Sequence, residues 1–334
     1  MPADPIARLA DLLPASLPFL AATNLAWGGF LLLVLAMLAL DLGVFHRKAH
    51  VVSTKEALAW SVVWVSLALL FGAGVWIVMG SERALEYLSA YVVEKTLSVD
   101  NVFIFAIIFS SLAIPPIYQH RVLFWGILTA LILRAIMIFA GTALLARFHW
   151  LIYVFGGFLV LTGLKLLFRK GDHDPSASTA FRIIKRLVPT TDRLDGDHFF
   201  TRVNGRRMAT PLLAALLLVE VTDVIFALDS IPAVLAISLD PFIVFTSNVF
   251  AILGLRSLYF LLSGAMTKLP GLDVGLAAVL MFVGVKMAAV DFIKVPTAIS
   301  FATIIAILAT SVLVARARAK SAPPAVPAPP PAAS

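Results

Sequence analysis

Residues 210–238 read TPLLAALLLVEVTDVIFALDSIPAVLAIS, a long apolar run that contains three acidic side chains and no basic one. A helix needs about 20 apolar residues to cross the hydrocarbon core of a bilayer, so this run is long enough to span one. The whole chain has the same character, because 61% of its 334 residues are apolar and only 13% are charged. Soluble domains are about half apolar and a quarter charged. The sequence therefore predicts an all-α polytopic membrane protein.

Apolar runs of this kind predict nine transmembrane helices in total. Their approximate bounds are 22–44, 57–79, 87–112, 121–145, 149–168, 210–238, 241–265, 271–290 and 296–315. One set of alternate loops holds seventeen basic residues, whereas the opposite set holds four, Arg8, Arg83, Arg147 and Lys294. The positive-inside rule then places the N-terminus outside and the C-terminus in the cytoplasm. We expect a multi-pass protein of a bacterial-type inner membrane.

Ionisable side chains inside these runs recur in the same order twice. The third run reads EKTLSVDN at 94–101 and the sixth reads DVIFALDS at 223–230, so each has an acid, five residues, an Asp and a small polar side chain. The next two runs of each half carry one arginine and then one lysine, which are Arg134 and Lys165 in the first half and Arg256 and Lys286 in the second. A three-span unit repeated in tandem must insert in opposite orientations. The pattern predicts a 3+3 inverted repeat of spans 3–5 and 6–8, the plan of many secondary transporters.

The predicted organisation has five parts. They are an extracytoplasmic N-terminal segment (1–21), spans 1–5 with the first repeat (22–168), a cytoplasmic connector (169–209), spans 6–9 with the second repeat (210–315) and a disordered Ala/Pro-rich cytoplasmic tail (316–334). The connector is rich in charge and lacks EF-hand spacing, so a solvated linker is favoured over a metal-sensing cluster. The net charge of +7 comes from loops and implies no nucleic-acid partner.

Charged groups within a membrane are costly and mark functional sites by default. Glu94 and Asp100 are six residues apart, a rotation of about 240° net, so they cannot share one face of a regular helix. The same holds for Asp223 and Asp229. Either one acid of each pair faces another partner, such as an arginine or a lysine, or the helix is broken there. Because Asn101 follows Asp100 and Pro232 lies three residues after Asp229, we predict that both helices are irregular at these points.

The acids and their polar neighbours predict a metal site near the bilayer midplane. The candidate ligands all offer oxygen, and they are Asp100, Asp229, Glu94, Asp223, Glu220, Asn101 and Ser230. Oxygen donors suit a hard divalent ion such as Mn²⁺, Mg²⁺ or Ca²⁺, and the acids could also carry protons. The candidate salt-bridge or gating residues are Arg134, Arg256, Lys165, Lys286 and Lys95. A purely structural role, in which these pairs only hold the bundle together, is the alternative.

At these residues the chain resembles the TerC family of integral membrane proteins, and within it the Alx-type manganese exporters. The similar segments are LDLGVFHRK at 40–48, EKTLSVDN at 94–101 and EVTDVIFALDSIPA at 220–233. The resemblance implies a nine-span protein related to the lysine-exporter superfamily, with metal efflux, chiefly of Mn²⁺. It also implies that the intramembrane acids of the family correspond to Glu94, Asp100, Glu220, Asp223 and Asp229. The family name refers to tellurium resistance, whose chemistry the sequence does not explain.

We therefore expect a secondary transporter that exports Mn²⁺ from the cytoplasm. Mn²⁺ would be its cargo and no cofactor would be permanently bound. The expected partners are the metal ion, protons and the lipid bilayer, while protein partners are not predicted. The chain has no phosphate-binding loop for ATP and no hydrolase motif, so we do not expect an enzyme. The alternatives are an accessory membrane protein for metal handling, tellurium resistance or metalation of exported proteins, or an exporter of another small solute.

Overall fold

A computed structural model describes residues 16–45, 52–168, 191, 193–203, 206–263 and 272–321. The side chains of some residues in these ranges, Asp100 among them, lie outside this description. The described residues form ten helices and one β-hairpin. The helices are α1 Ser16–Phe45, α2 Thr54–Met79, α3 Ser81–Ser111, α4 Pro116–Arg147, α5 Leu151–Phe168, α6 Pro211–Leu235, α7 Pro241–Leu253, α8 Leu255–Ser263, α9 Leu272–Ala288 and α10 Thr297–Ser321, and the strands are β1 Phe200–Val203 and β2 Arg206–Ala209. Helix α1 belongs to one compact unit, and the described residues from Val52 onward form a second.

The described helices are those of a polytopic membrane protein. Six of them, counting α7 and α8 as one segment over Pro241–Leu261, are long and apolar enough to cross a bilayer. Shorter apolar stretches lie at Asn24–Ala39 and Val274–Ala288. Each of the nine predicted spans overlaps a helix, although the number that cross the membrane stays a prediction. Large apolar side chains also point outward, such as Ile77 at 84% exposed, as expected of a surface that meets lipid tails.

Local sequence signals set several helix boundaries. The Ser53 hydroxyl caps α2 by accepting from the backbone N–H of Glu56 at 3.3 Å. Asp240 caps α7 in the same way, with a bond of 2.9 Å from the N–H of Phe242. Gly80 has a φ of 90°, a left-handed conformation that glycine adopts at no steric cost, and there α2 ends and α3 begins.

The most extensive helix contact joins α5 and α9, and glycines bring the two backbones together. A Cβ atom on Gly156 would lie 2.8 Å from the carbonyl oxygen of Gly284, and one on Gly284 would lie 2.7 Å from the carbonyl oxygen of Gly156. A Cβ atom on Gly163 would lie 2.7 Å from the carbonyl oxygen of Ala277. Small residues at such crossings allow the close packing that holds membrane helices together. The two lysine-bearing helices are thus fixed against each other.

The remaining helices of the second unit are arranged around α3, α4 and α6. Helix α4 packs against α6 and α7, and α3 packs against α2, α6, α7, α8 and α10. Helix α9 also contacts α3 and α6, while α5 contacts α4 and α6. As a result α3, α4, α5, α6 and α9, which carry most of the predicted site residues, surround one central region.

The predicted irregularity at Asp100 and Asp229 is wrong. Helix α3 runs unbroken from Ser81 to Ser111, and α6 runs unbroken from Pro211 to Leu235. Pro232 lies in the last turn of α6, where a missing N–H removes one hydrogen bond, and every residue from Ser230 to Leu235 is buried in the bundle. Packing around this turn therefore preserves the helix.

The interruption lies instead in the predicted seventh span, at Gly254 between α7 and α8. The ammonium group of Lys95 donates to the carbonyl oxygen of Ala251 at 3.2 Å, the oxygen that would otherwise accept from the N–H of Leu255 in a continuous helix. A Cβ atom at position 254 would lie 2.7 Å from the same Nζ, so glycine makes room for the lysine. Insertion of a side chain into the hydrogen-bond ladder is a known cause of helix breaks.

The connector differs from the expected solvated linker over its described part. Strands β1 and β2, Phe200–Val203 and Arg206–Ala209, pair in an antiparallel hairpin in which Thr201 faces Met208. Leu194 and Phe199 pack against a buried cluster that includes Phe109 and Tyr259. Arg121 of α4 forms an ion pair with Asp197, and its guanidinium carbon lies 5.3 Å from the centre of the Phe199 ring. Residues 169–190 of the connector lie outside the described residues.

The α5–α9 crossing yields a stability prediction. Gly156→Val should place two methyl groups where the Gly284 backbone already lies, so we expect a loss of about 1 to 3 kcal/mol in the free energy of unfolding. Gly157→Val is the matched control, because a Cβ atom there meets nothing within 4 Å. Unfolding of both variants in detergent checks the prediction. Equal unfolding midpoints for the two variants would contradict the proposed backbone contact.

Candidate functional site

The centre of the bundle contains one arginine shared by two acids. Arg134 of α4 is 2% exposed, and its Nη2 donates to Oδ1 of Asp223 on α6 at 3.0 Å. Its Nη1 forms an ion pair with Oε1 of Glu94 on α3. Glu94 is 1% exposed and Asp223 is 4% exposed, so all three groups are out of contact with solvent. One guanidinium therefore forms ion pairs with an acid from each half of the chain.

Amide and hydroxyl groups complete this cluster, which we call the Arg134 cluster and define as Glu94, Asn101, Arg134, Asp223, Ser230 and Asn248. The Asn101 side chain donates to Oδ1 of Asp223 at 3.4 Å, and Oδ1 of Asn248 accepts from Arg134 at 3.4 Å. The hydroxyl oxygen of Ser230 lies 3.5 Å from Arg134 Nη1. Asn248 was not among the predicted site residues. The polar run Thr246-Ser247-Asn248 inside an apolar span was the available signal.

Three polar atoms of the cluster lack a hydrogen-bond partner among the described residues. They are Oε2 of Glu94, Oδ1 of Asn101 and Nδ2 of Asn248. Buried polar atoms are nearly always hydrogen-bonded in native proteins, so these atoms are available to a water, an ion or a ligand. Two of the three can only accept, and an acceptor oxygen without a donor is also what a cation would use.

A pocket of about 130 Å³ opens beside the cluster. Its polar lining comes from four helices and consists of Glu94, Asn101, Arg134, Thr162, Lys165, Asp229 and Ser230. The hydroxyl of Thr162 on α5 donates to Oδ1 of Asp229 at 3.4 Å. Leu97, Leu166, Phe226, Leu276 and Leu280 are among the apolar walls. Asp229 therefore faces the pocket while Asp223, six residues earlier, faces the arginine, as their helical separation requires.

The structure does not bring the other predicted residues to this pocket. Glu220 faces α4 at Gly126. Lys95 binds the Ala251 carbonyl, Arg256 is buried on α8 just after the break, and Lys286 is half-buried on α9. The side chain of Asp100 lies outside the described part of the chain.

Chemically, this arrangement is a carboxylate site occupied by a protein cation. No group of three or more Asp, Glu or His side chains among the described residues is arranged to hold a metal ion. Instead, Arg134 pairs with both Glu94 and Asp223. Removing the guanidinium would leave two buried carboxylates without a counter-charge, which is strongly unfavourable. A divalent ion could bind both acids together only as Arg134 withdraws.

Comparison with known proteins places the chain in a family. Residues 79–322 match the family described as "Integral membrane protein TerC family". The chain belongs to the TerC family.

Similarity to individual TerC-type proteins extends over nearly the whole chain. It is 61% identical over 298 residues to "Uncharacterized membrane protein STKORF319" of Myxococcus xanthus, covering 89% of this chain and 93% of that one. It is 47% identical over 302 residues to the "Putative membrane-bound redox modulator Alx" of Salmonella typhi, covering 87% and 94%. The protein of the same name from Escherichia coli (strain K12) is 45% identical over 302 residues. No solved structure matches this TerC protein significantly.

The shared arginine yields a second prediction. Arg134→Gln should leave Glu94 and Asp223 buried without a cation, so we expect a loss of about 3 to 5 kcal/mol in the free energy of unfolding. Arg147→Gln is the matched control, because Arg147 lies exposed in the last turn of the same helix. Its expected effect is within about 0.5 kcal/mol. Chemical unfolding in detergent measures both, and a stability of Arg134→Gln equal to that of Arg147→Gln would refute the buried pairing.

Proposed function

We propose that this TerC-family protein is a secondary transporter that exports a hard divalent cation, with Mn²⁺ as the expected cargo, from the cytoplasm. The observation that carries the proposal is the Arg134 cluster, in which acids from both halves of the chain meet one cation beside a pocket. Buried acids at the centre of a membrane bundle are costly and mark ion pathways by default. The oxygens of Glu94 and Asn101 that no described residue bonds give such an ion available acceptors.

The transport step that we propose is an exchange of cations at fixed carboxylates. A metal ion that enters the pocket first meets Asp229, whose partners are Thr162 and the nearby Lys165. As Arg134 withdraws, Glu94 and Asp223 become available, and Asn101 and Ser230 add neutral oxygens. A divalent ion then replaces the charge that Arg134 supplied. Asp100 remains a predicted ligand from the sequence.

Two features of helix packing support the proposed 3+3 inverted repeat. Adding 121 to Gly156 and Gly163 gives Ala277 and Gly284, the same shift that relates Lys165 to Lys286. The close contacts join Gly156 to Gly284 and Gly163 to Ala277, so exchanging the two copies turns one contact into the other. Likewise α4 packs on α6 and the corresponding α7 packs on α3. A two-fold relation between spans 3–5 and 6–8 accounts for both features.

The remaining parts of the proposal follow from the sequence. Nine spans with the C-terminus in the cytoplasm would place the connector on the cytoplasmic side of a bacterial inner membrane. Without a phosphate-binding loop for ATP, exchange against protons is the coupling that we propose. The Alx relatives are named as redox modulators, but this chain has no cysteine and offers no thiol for that chemistry.

A small zwitterion is a second candidate cargo, because charges of both signs line the pocket. Two cationic side chains, Arg134 and Lys165, line the pocket together with two acidic ones, Glu94 and Asp229. An amino acid presents one charge of each sign and could pair with both. The candidates differ in what they require of Arg134, because an amino acid needs the guanidinium in place and a metal ion needs it to withdraw.

Manganese efflux from reconstituted vesicles tests the proposal. We expect Asp229→Asn, Glu94→Gln and Asp100→Asn each to lower the efflux rate of loaded radioactive manganese by about tenfold or more, because each removes a negative charge that the ion requires. Asp291→Asn is the matched control, since Asp291 is an exposed acid outside the pocket and should leave the rate unchanged. Wild-type rates in all three variants would refute the carboxylate site.

Competition distinguishes the two cargoes. We expect unlabelled Mn²⁺ to inhibit manganese efflux and lysine at the same concentration to have no effect. Inhibition by lysine, together with counterflow of labelled lysine, would instead establish the amino acid as cargo. Competition by unlabelled Mg²⁺ or Ca²⁺ in the same assay measures how strongly the oxygen donors discriminate among hard divalent ions.

A further inference from the structure

The β-hairpin of the connector presents a basic and aromatic face that the transport proposal does not use. Successive side chains of a strand point to opposite faces, and Arg202 lies directly opposite Arg207 in the antiparallel register. Phe200, two residues before Arg202, therefore lies on the same face as both arginines. All three side chains are exposed, Phe200 at 44%. We call these three residues the hairpin face.

The two arginines of the hairpin face are placed unfavourably for an isolated hairpin. Like charges directly opposite each other destabilise a strand pair. Neither Arg202 nor Arg207 forms an ion pair with a carboxylate in the part of the chain that the structure describes. The guanidinium carbon of Arg207 lies 4.3 Å from the centre of the Phe200 ring, which holds that arginine on this face. An anion between the two guanidinium groups would offset their repulsion.

The hairpin is held at the end of the helical bundle. Only Thr210 separates the end of β2 at Ala209 from the start of α6 at Pro211, and α6 is a candidate membrane span. The Thr210 N–H donates to the carbonyl oxygen of Phe199 at 3.0 Å, and its hydroxyl donates to that of His198 at 2.7 Å. The ion pair between Arg121 and Asp197 ties the segment to α4. These bonds hold the hairpin next to the first residues of α6, where that span would enter the bilayer.

We propose that the hairpin face binds the phosphate headgroups of anionic phospholipids in the adjacent leaflet. Arginine matches phosphate with paired N–H donors, and an aromatic ring beside it suits the boundary between headgroups and acyl chains. Lys and Arg residues next to a membrane span are attracted to anionic lipids over about one Debye length. Charge complementarity and position thus select a lipid phosphate as the occupant. The proposal does not depend on the identity of the transported solute.

Lipid titration of the purified full-length protein tests this binding. In detergent, phosphatidylglycerol should raise the unfolding temperature in a saturable manner, and phosphatidylcholine should not. The apparent affinity for phosphatidylglycerol should fall by about tenfold or more in Arg202→Gln/Arg207→Gln, because each basic residue near the surface contributes roughly a fivefold factor. Arg202→Lys/Arg207→Lys keeps both charges, is compatible with the same fold and should retain most of the affinity.

The matched control is Arg193→Gln, which removes an exposed charge from the same connector but not from the hairpin face. It should change the affinity by less than about twofold. An equal loss in Arg193→Gln and the double variant would overturn the proposal, because net charge alone would then explain binding. Stabilisation by phosphatidylcholine equal to that by phosphatidylglycerol, or by inorganic polyphosphate in place of lipid, would also overturn it.

Discussion

The central constraint on this protein is the burial of one arginine between two carboxylates. Arg134, Glu94 and Asp223 are almost completely removed from solvent, so none of them can remain charged at low cost unless the others stay within contact. Each sits on a different helix, and together they fix the relative positions of α3, α4 and α6. Lipid tails are as apolar as the side chains that face them, so hydrophobic burial does little to hold membrane helices together. The ion pairs of this cluster supply attraction between the helices instead.

The glycine crossing between α5 and α9 complements this electrostatic constraint. It brings the two backbones within reach of each other and so determines where Thr162 and Lys165 on α5, and Leu276 and Leu280 on α9, line the pocket. The Arg134 cluster forms one side of the pocket, and the α5–α9 pair forms another. The site therefore has two different walls. One is the Arg134 cluster, whose charged groups depend on one another, and the other is the tightly packed α5–α9 pair, which leaves little room for rearrangement.

Much of this arrangement could be predicted from the sequence, because charged side chains are unfavourable inside a membrane and stand out in an apolar run. Charged side chains in apolar runs identified Glu94, Arg134, Asp223 and Asp229, and helical periodicity required Asp223 and Asp229 to face different surroundings. Asn248 was missed because a neutral amide in an apolar span carries no comparable cost. The break at Gly254 was missed because its cause is Lys95, which is distant in sequence and adjacent only in the folded bundle. Pro232 suggested a break where none occurs, since tertiary packing outweighs one missing hydrogen bond.

The same electrostatics link the structure to the proposed transport. Two acids and one arginine leave a single net negative charge, and Asp229 and Lys165 on the other side of the pocket cancel each other. A monovalent cation could balance this arrangement with Arg134 still in place. A divalent ion that uses both Glu94 and Asp223 requires the guanidinium to leave, because otherwise three positive charges would face two negative ones. Binding of a divalent ion and loosening of the contacts among α3, α4 and α6 would therefore be a single event, so that the residues that stabilise the bundle would also couple cargo to conformational change.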